Sequence, residues 1–142
     1  MSWLQKQKVV VPVDFSDESF TAVKAAMDFV DDPGNVLVVN VLQELSPMEP
    51  GEIWQTIDHE SRIRHTMKAL RERLNDGSHD DVSTEVVIGD PGREVVAIAE
   101  REKAELIVLT SHGRTGLKRL LIGSVAERVI RLAHCPVLVL RD

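Results

Sequence analysis

Between Thr110 and Ser124 the chain reads T-S-H-G-R-T-G-L-K-R-L-L-I-G-S, so glycines, hydroxyls and cations gather just ahead of a helical pattern. Gly113 and Gly116 carry no side chain, which lets backbone N–H groups approach a ligand closely. Gly123 and Ser124 stand where that helix begins, and helix-start amides with the positive end of the dipole favour an anion. Arg114, Lys118 and Arg119 add positive charge to a chain whose formal net charge is −6. Phosphate binding is the chemistry such a run supports. A structural reading stands beside it with equal weight. Ser124-Val125-Ala126-Glu127 has the S-x-x-E form of a capping box, which would make Ser124 a helix cap, and glycines between a strand and a helix often only turn the chain.

Other chemistry finds less support. Neither G-x-x-x-x-G-K-[ST] nor a G-x-G-x-x-G after the first apolar run is present, which disfavours a P-loop NTPase and a dinucleotide dehydrogenase. Asp14 ends the first apolar run, as the phospho-acceptor of a receiver domain would. That chemistry needs clustered acids and a strand-end lysine, whereas the last run ends Leu140-Arg141-Asp142. His59, His65, His79, His112 and His134 lack metal-ligand spacing and read as surface residues, with His112 alone on the candidate rim. No Cys–His pairing adjoins the loop and no G-x-S-x-G elbow occurs, so the residues assemble no nucleophile–base–orienter set. The single cysteine, Cys135, excludes an internal disulfide and reads as inert core. Trp54 and Met48 fit a helix anchor better than a lid, and Asp28, Asp31 and Asp32 a solvated helix end.

The elements that must position these residues alternate along the chain. Apolar runs at Lys8–Val13, Val36–Leu42, Glu105–Thr110 and Pro136–Leu140 read as buried strands, and the mixed run Val82–Ile88 as an edge strand. Ser16 is expected to cap a helix carrying Ala22, Val23, Ala26, Met27 and Val30 on one stripe. Further helices are expected from about Glu52 to Leu74, at Arg93–Lys103 and at Ser124–His134, with a short helical turn at Leu117–Leu121. Gln43–Gly51 reads as a loop and Gly89–Gly92 as a turn. Strand and helix in alternation predict a doubly wound, Rossmann-like α/β fold, a five-stranded parallel sheet covered on both faces. Ligands of such sheets bind beyond the carboxyl ends of the strands, so Pro12–Ser16, Val41–Gln43 and Thr110–Ser124 share one rim.

Three segments carry a resemblance. V-P-V-D-F-S at Val11–Ser16, S-H-G-R-T-G-L-K-R-L-L-I-G-S-V-A-E at Ser111–Glu127 and C-P-V-L-V-L at Cys135–Leu140 resemble the universal stress protein (UspA) family, from about Lys8 to Arg141. The resemblance implies strand order 3-2-1-4-5 and, in one branch, an adenine-nucleotide pocket marked G-x2-G-x9-G-[ST]. Thr110 stands at the first glycine of that pattern, followed by Gly113, Gly123 and Ser124. By the same resemblance Pro12, Val13 and Val41 frame the adenine and Asp14 accepts a hydrogen bond from the ribose. Thr110, Gly113, Arg114, Gly123, Ser124 and Val125 complete the set, with ATP, and Mg²⁺ beside it, as the expected ligand. The implied role is a stress-response or signalling protein that uses the nucleotide as a conformational signal. The alternatives are a dimeric interaction module that binds no nucleotide, or a weak ATPase.

Length and composition bound these readings. The 142 residues suit one domain, 1–142, and 43% hydrophobic with 28% charged residues is ordinary for a globular chain. No apolar run approaches the ~18 residues of a membrane span, the first residues lack a signal-peptide core, and the acidic balance disfavours nucleic acid. A cytoplasmic protein is expected. Val137–Leu140 is apolar on both faces at a sheet edge, and the sequence ends at Asp142. That edge is therefore expected to pair antiparallel with its copy in a homodimer.

Overall fold

The computed structural model describes residues 4–44, 55–77, 79, 81–111 and 122–141. Strands β1 (Val9–Pro12), β2 (Val36–Leu42), β3 (Ser83–Ile88), β4 (Leu106–Thr110) and β5 (Val137–Leu140) form one sheet in the order β3-β2-β1-β4-β5. Every pairing is parallel. Helices α1 (Asp17–Met27) and α2 (Gln55–Asp76) cover one face, and α3 (Pro91–Arg101) and α4 (Ser124–Leu132) the other. Alternation of side chains along β1 explains the two cores. Val9 and Val11 pack with Ala22, Val23, Leu70 and Leu74, while Val10 packs with Val95, Ile98, Ala126 and Val129.

The sheet opens where its order reverses. Strand β1 pairs with β2 from Val9↔Val36 to Pro12↔Val39, but with β4 only at Val9↔Leu106 and Val10↔Ile107. Proline has no N–H to donate, so Pro12 suits a strand whose carboxyl half has parted from one neighbour. The crevice between the ends of β1 and β4 is the position at which open parallel sheets take ligands. Edge strand β3 keeps its polar side chains engaged. Ser83 Oγ donates to the Gly34 carbonyl at 2.8 Å, and Glu85 takes two hydrogen bonds from Arg101 at 3.1 and 2.5 Å.

One helix start and one helix cap differ from expectation. Helix α3 begins at Pro91 rather than Arg93, because Asp90 caps it by accepting from the Arg93 N–H at 3.0 Å, and proline is tolerated at the first helical position. Helix α4 is capped by Gly123, with φ −74° and ψ 164°, and not by Ser124. The Gly123 carbonyl already accepts from the Glu127 N–H at 2.9 Å, so Ser124 lies inside the first turn and its exposed hydroxyl has no capping role. The expected turn at Leu117–Leu121 lies outside the described residues, as do Met48 and Trp54.

Candidate functional site

The rim is organised around the turn from β1 into α1. Asp14 Oδ1 accepts from the Ser16 N–H at 3.0 Å and from the Ser16 hydroxyl at 2.6 Å, while the Asp14 N–H donates to Ser19 Oγ at 3.3 Å. Ser16 Oγ in turn accepts from the Ser19 N–H at 3.2 Å, the capping bond expected of it. Between them Phe15 adopts φ 67°, a left-handed conformation unusual for an aromatic residue. It lies in the connection between β1, which ends at Pro12, and α1, which begins at Asp17. Its ring meets Phe20 edge-on at 6.1 Å, and the Arg73 guanidinium lies 4.4 Å above the Phe20 ring while pairing with Asp17. Residues from α1 and α2 thus lock the backbone that presents Asp14.

Strand β2 outlasts β1 and shapes the neighbouring wall. The Val13 N–H donates to the Val39 carbonyl at 2.8 Å, and the Leu42 carbonyl accepts from the Gly89 N–H at 2.8 Å on the β3 side. Backbone groups alternate in direction along a strand. The N–H and C=O of Val41 therefore point the same way as those of Val39, out past the end of β1. Asn40, 5% exposed, closes that end: its Nδ2 donates to the Val13 carbonyl at 2.8 Å, and its buried Oδ1 has no hydrogen-bond partner among the described residues. An open cleft of about 710 Å³ lies here. Asp14 and Phe15 line it from the end of β1, Asn40 through Gln43 from β2, and His65, Thr66 and Ala69 from α2.

The other half of the rim joins β4, β5 and α4. The Ser111 carbonyl accepts from the Gly123 N–H at 2.5 Å, and the Ser111 N–H donates to the Leu140 carbonyl at 2.9 Å. These bonds draw the start of α4 against the ends of both strands. The amides of Ser124 and Val125 occupy the first helical positions, where no intrahelical acceptor exists. Thr110 lines a second cleft of about 350 Å³ with Asp17, Glu18, Thr21, Leu140 and Arg141. Asp17 and Glu18 put two carboxylates beside it, and no cluster of metal-ligating side chains occurs among the described residues.

Asp14 and Val41 therefore share one cleft wall, Pro12 and Val13 lie at the strand end beside it, and Gly123, Ser124 and Val125 lie at the α4 start. Thr110 faces a separate hollow, and Gly113, Arg114, Gly116, Lys118, Arg119 and His112 lie outside the described residues. Two contributors escaped the sequence reading. His65 lines the cleft from α2, so His112 is not alone on the rim. Asn40 also lines it, and its signal was in plain view: an amide in an otherwise apolar run, V-L-V-V-N-V-L. Cys135 is half-buried against the α3–α4 core, and burial pushes its thiol pKa up, in keeping with an inert role.

Comparison with known proteins agrees with this architecture. The family model described as the universal stress protein family matches residues 6–141. Universal stress protein MJ0531 of Methanocaldococcus jannaschii is 36% identical over 140 residues, covering 95% of this chain and 82% of that protein. The solved structure of MJ0577, from the same organism, superposes with a TM-score of 0.76 at 28% identity, covering 96% of each chain. A universal stress protein solved in complex with cAMP gives 0.61 at 23% identity, covering 96% of this chain and 97% of that one. At that identity the likeness concerns the fold.

Proposed function

The chain belongs to the universal stress protein family, and from that premise we propose that it is a cytoplasmic, single-domain stress-response or signalling protein that binds an adenine nucleotide as a conformational signal. The proposed ligand is ATP, with Mg²⁺ beside its phosphates. Pro12, Val13 and Val41 surround the base, Asp14 accepts from the ribose, and Thr110, Gly113, Arg114, Gly123, Ser124 and Val125 meet the phosphates. The same proposal pairs β5 with its copy in a homodimer.

One observation carries the reading. Beyond the end of β1, the backbone N–H and C=O of Val41 face outward beside a cleft of about 710 Å³ whose wall includes Asp14. A donor and an acceptor side by side match the edge of a purine, and a carboxylate matches sugar hydroxyls. The α4 start offers amides for an anion. That a protein of the same fold was solved with cAMP, itself an adenine nucleotide, supports the choice of base. Among the described residues no helix is long and apolar enough to cross a membrane.

A second reading, an interaction module without nucleotide, draws on the carboxylates of Asp17 and Glu18 beside Thr110, which repel phosphates. Calorimetric titration with ATP, AMP and cAMP decides between them, together with extraction of nucleotide from the purified protein. Saturable binding of at least one supports the nucleotide reading. No heat and no extracted nucleotide would leave the interaction module.

A further inference from the structure

The carboxamide of Asn40 is unusual in its surroundings. It stands in a strand whose other members are Val and Leu, it is 5% exposed, and it lines the cleft beside Asp14. Its Nδ2 has a partner, the Val13 carbonyl at 2.8 Å, which fixes the amide orientation, since a flipped group would set oxygen against oxygen. Its Oδ1 has none among the described residues. A buried acceptor without a donor is costly, and valine would avoid that cost in a strand already built of valines. Fixing the Val13 carbonyl explains the nitrogen of this side chain but leaves its oxygen unexplained.

We propose that Asn40 is a specificity-determining residue whose Oδ1 accepts a hydrogen bond from an exocyclic amino group on the bound base, so that the cleft selects an aminopurine. The inference rests on the nucleotide reading above and deepens it. In the empty cleft the oxygen is sealed, so a ligand N–H reaches it as the base enters and the wall adjusts around it. The bond gained then offsets a cost already present in the empty protein. Outward-facing groups of Val41 supply one donor and one acceptor, and an amino group has two N–H donors, leaving one for Asn40.

The test compares ATP with the triphosphate of 6-unsubstituted purine riboside, which lacks only the amino group, by calorimetry on the wild-type chain, Asn40→Val and Asn40→Thr. Wild type should prefer ATP. Asn40→Val should reduce that preference by roughly five- to tenfold, the size of one net hydrogen bond. Asn40→Thr, matching valine in shape but retaining an acceptor, should keep part of the preference. A purely structural role would weaken both ligands equally, and an unchanged ratio in Asn40→Val overturns the inference while sparing the nucleotide reading. Should neither variant fold, a wild-type preference below about twofold overturns it alone. Failure of wild type to bind ATP overturns both.

Discussion

Asp14 holds the β1–α1 turn through one oxygen and lines the cleft, so its removal should show in two measurements. Asp14→Ala should weaken ATP binding by about 1.5–3 kcal/mol, the range of a charge-assisted hydrogen bond, read by calorimetry. Loss of the Ser16 contacts should also lower the melting temperature, and wild-type affinity in a folded variant would remove Asp14 from the site. Gly123 has an ordinary backbone conformation, with φ −74°, so its backbone accepts a residue with a side chain. Gly123→Val should abolish nucleotide binding by filling the approach to the α4 amides, and Thr110→Gly should tighten it by restoring the family pattern. If Gly123→Val and Asp14→Ala both bind ATP normally, the proposed pocket is in the wrong place. At this scale the sequence was partly legible. Asp14 and Ser16 could be read because a capped turn is local, and Asn40 stood out by type in its apolar run, but its place on the cleft wall and that of His65 could not be read. Their importance depends on β2 outrunning β1 and on which side of α2 faces the sheet, and neither is encoded in a local window.

Elements were legible to within a few residues because their apolar periods are strong, and the misread start of α3 has a local physical cause. Proline and glycine at 91 and 92 look like a turn, yet proline suits a first helical turn, and Gly92 lies where α4 crosses closely. A Cβ on Gly92 would sit 2.8 Å from the Cβ, Cγ and Cδ of Arg128. Because the contact includes the root of the Arg128 side chain, the helices must separate. Gly92→Ala should therefore destabilise the fold by roughly 1–3 kcal/mol in denaturant titration, despite the better helix propensity of alanine. The same crossing carries the Asp90–Arg128 ion pair at 2.7 Å. The Arg93 backbone N–H first, and Arg128 second, hold the Asp90 carboxyl below its ordinary pKa. Its folded value being lower than its unfolded one of about 3.9, its contribution is present above that pH and is lost as pH falls through the folded value. Asp90→Asn should accordingly be less stable than wild type at pH 7, with the gap closing below about pH 4. A gap independent of pH would show that the charge on Asp90 is not what stabilises the start of α3.

At the scale of the molecule, alternation of strands and helices gave the fold class, and the sheet order followed the resemblance, because neither depends on exact ends. What it hid was the early parting of β1 from β4, a consequence of register, on which the whole rim depends. The other open question at this scale is the exposed edge. Pro136 and Leu140 present their carbonyls to β4, accepting from Ile107 and Ser111 at 3.0 and 2.9 Å. Alternation then turns the N–H and C=O of Val137 and Val139 outward, along an edge that no other strand of the described residues covers. Beside it, α4 exposes Ile130 and Leu132. An apolar edge with outward ladder groups is a template for pairing with another strand, and a two-fold axis makes the copy of β5 its most economical partner. Val139→Pro tests this cleanly, because it deletes an outward donor and leaves the bonds to β4 in place. Leu138→Pro, whose N–H faces β4, is the control for damage to the sheet itself. Sedimentation should give a dimer for wild type and a folded monomer for Val139→Pro, whereas Leu138→Pro should lose stability. A Val139→Pro protein that sediments as the wild-type dimer would place the interface elsewhere, and a monomeric wild type would leave the β5 edge without a partner in solution.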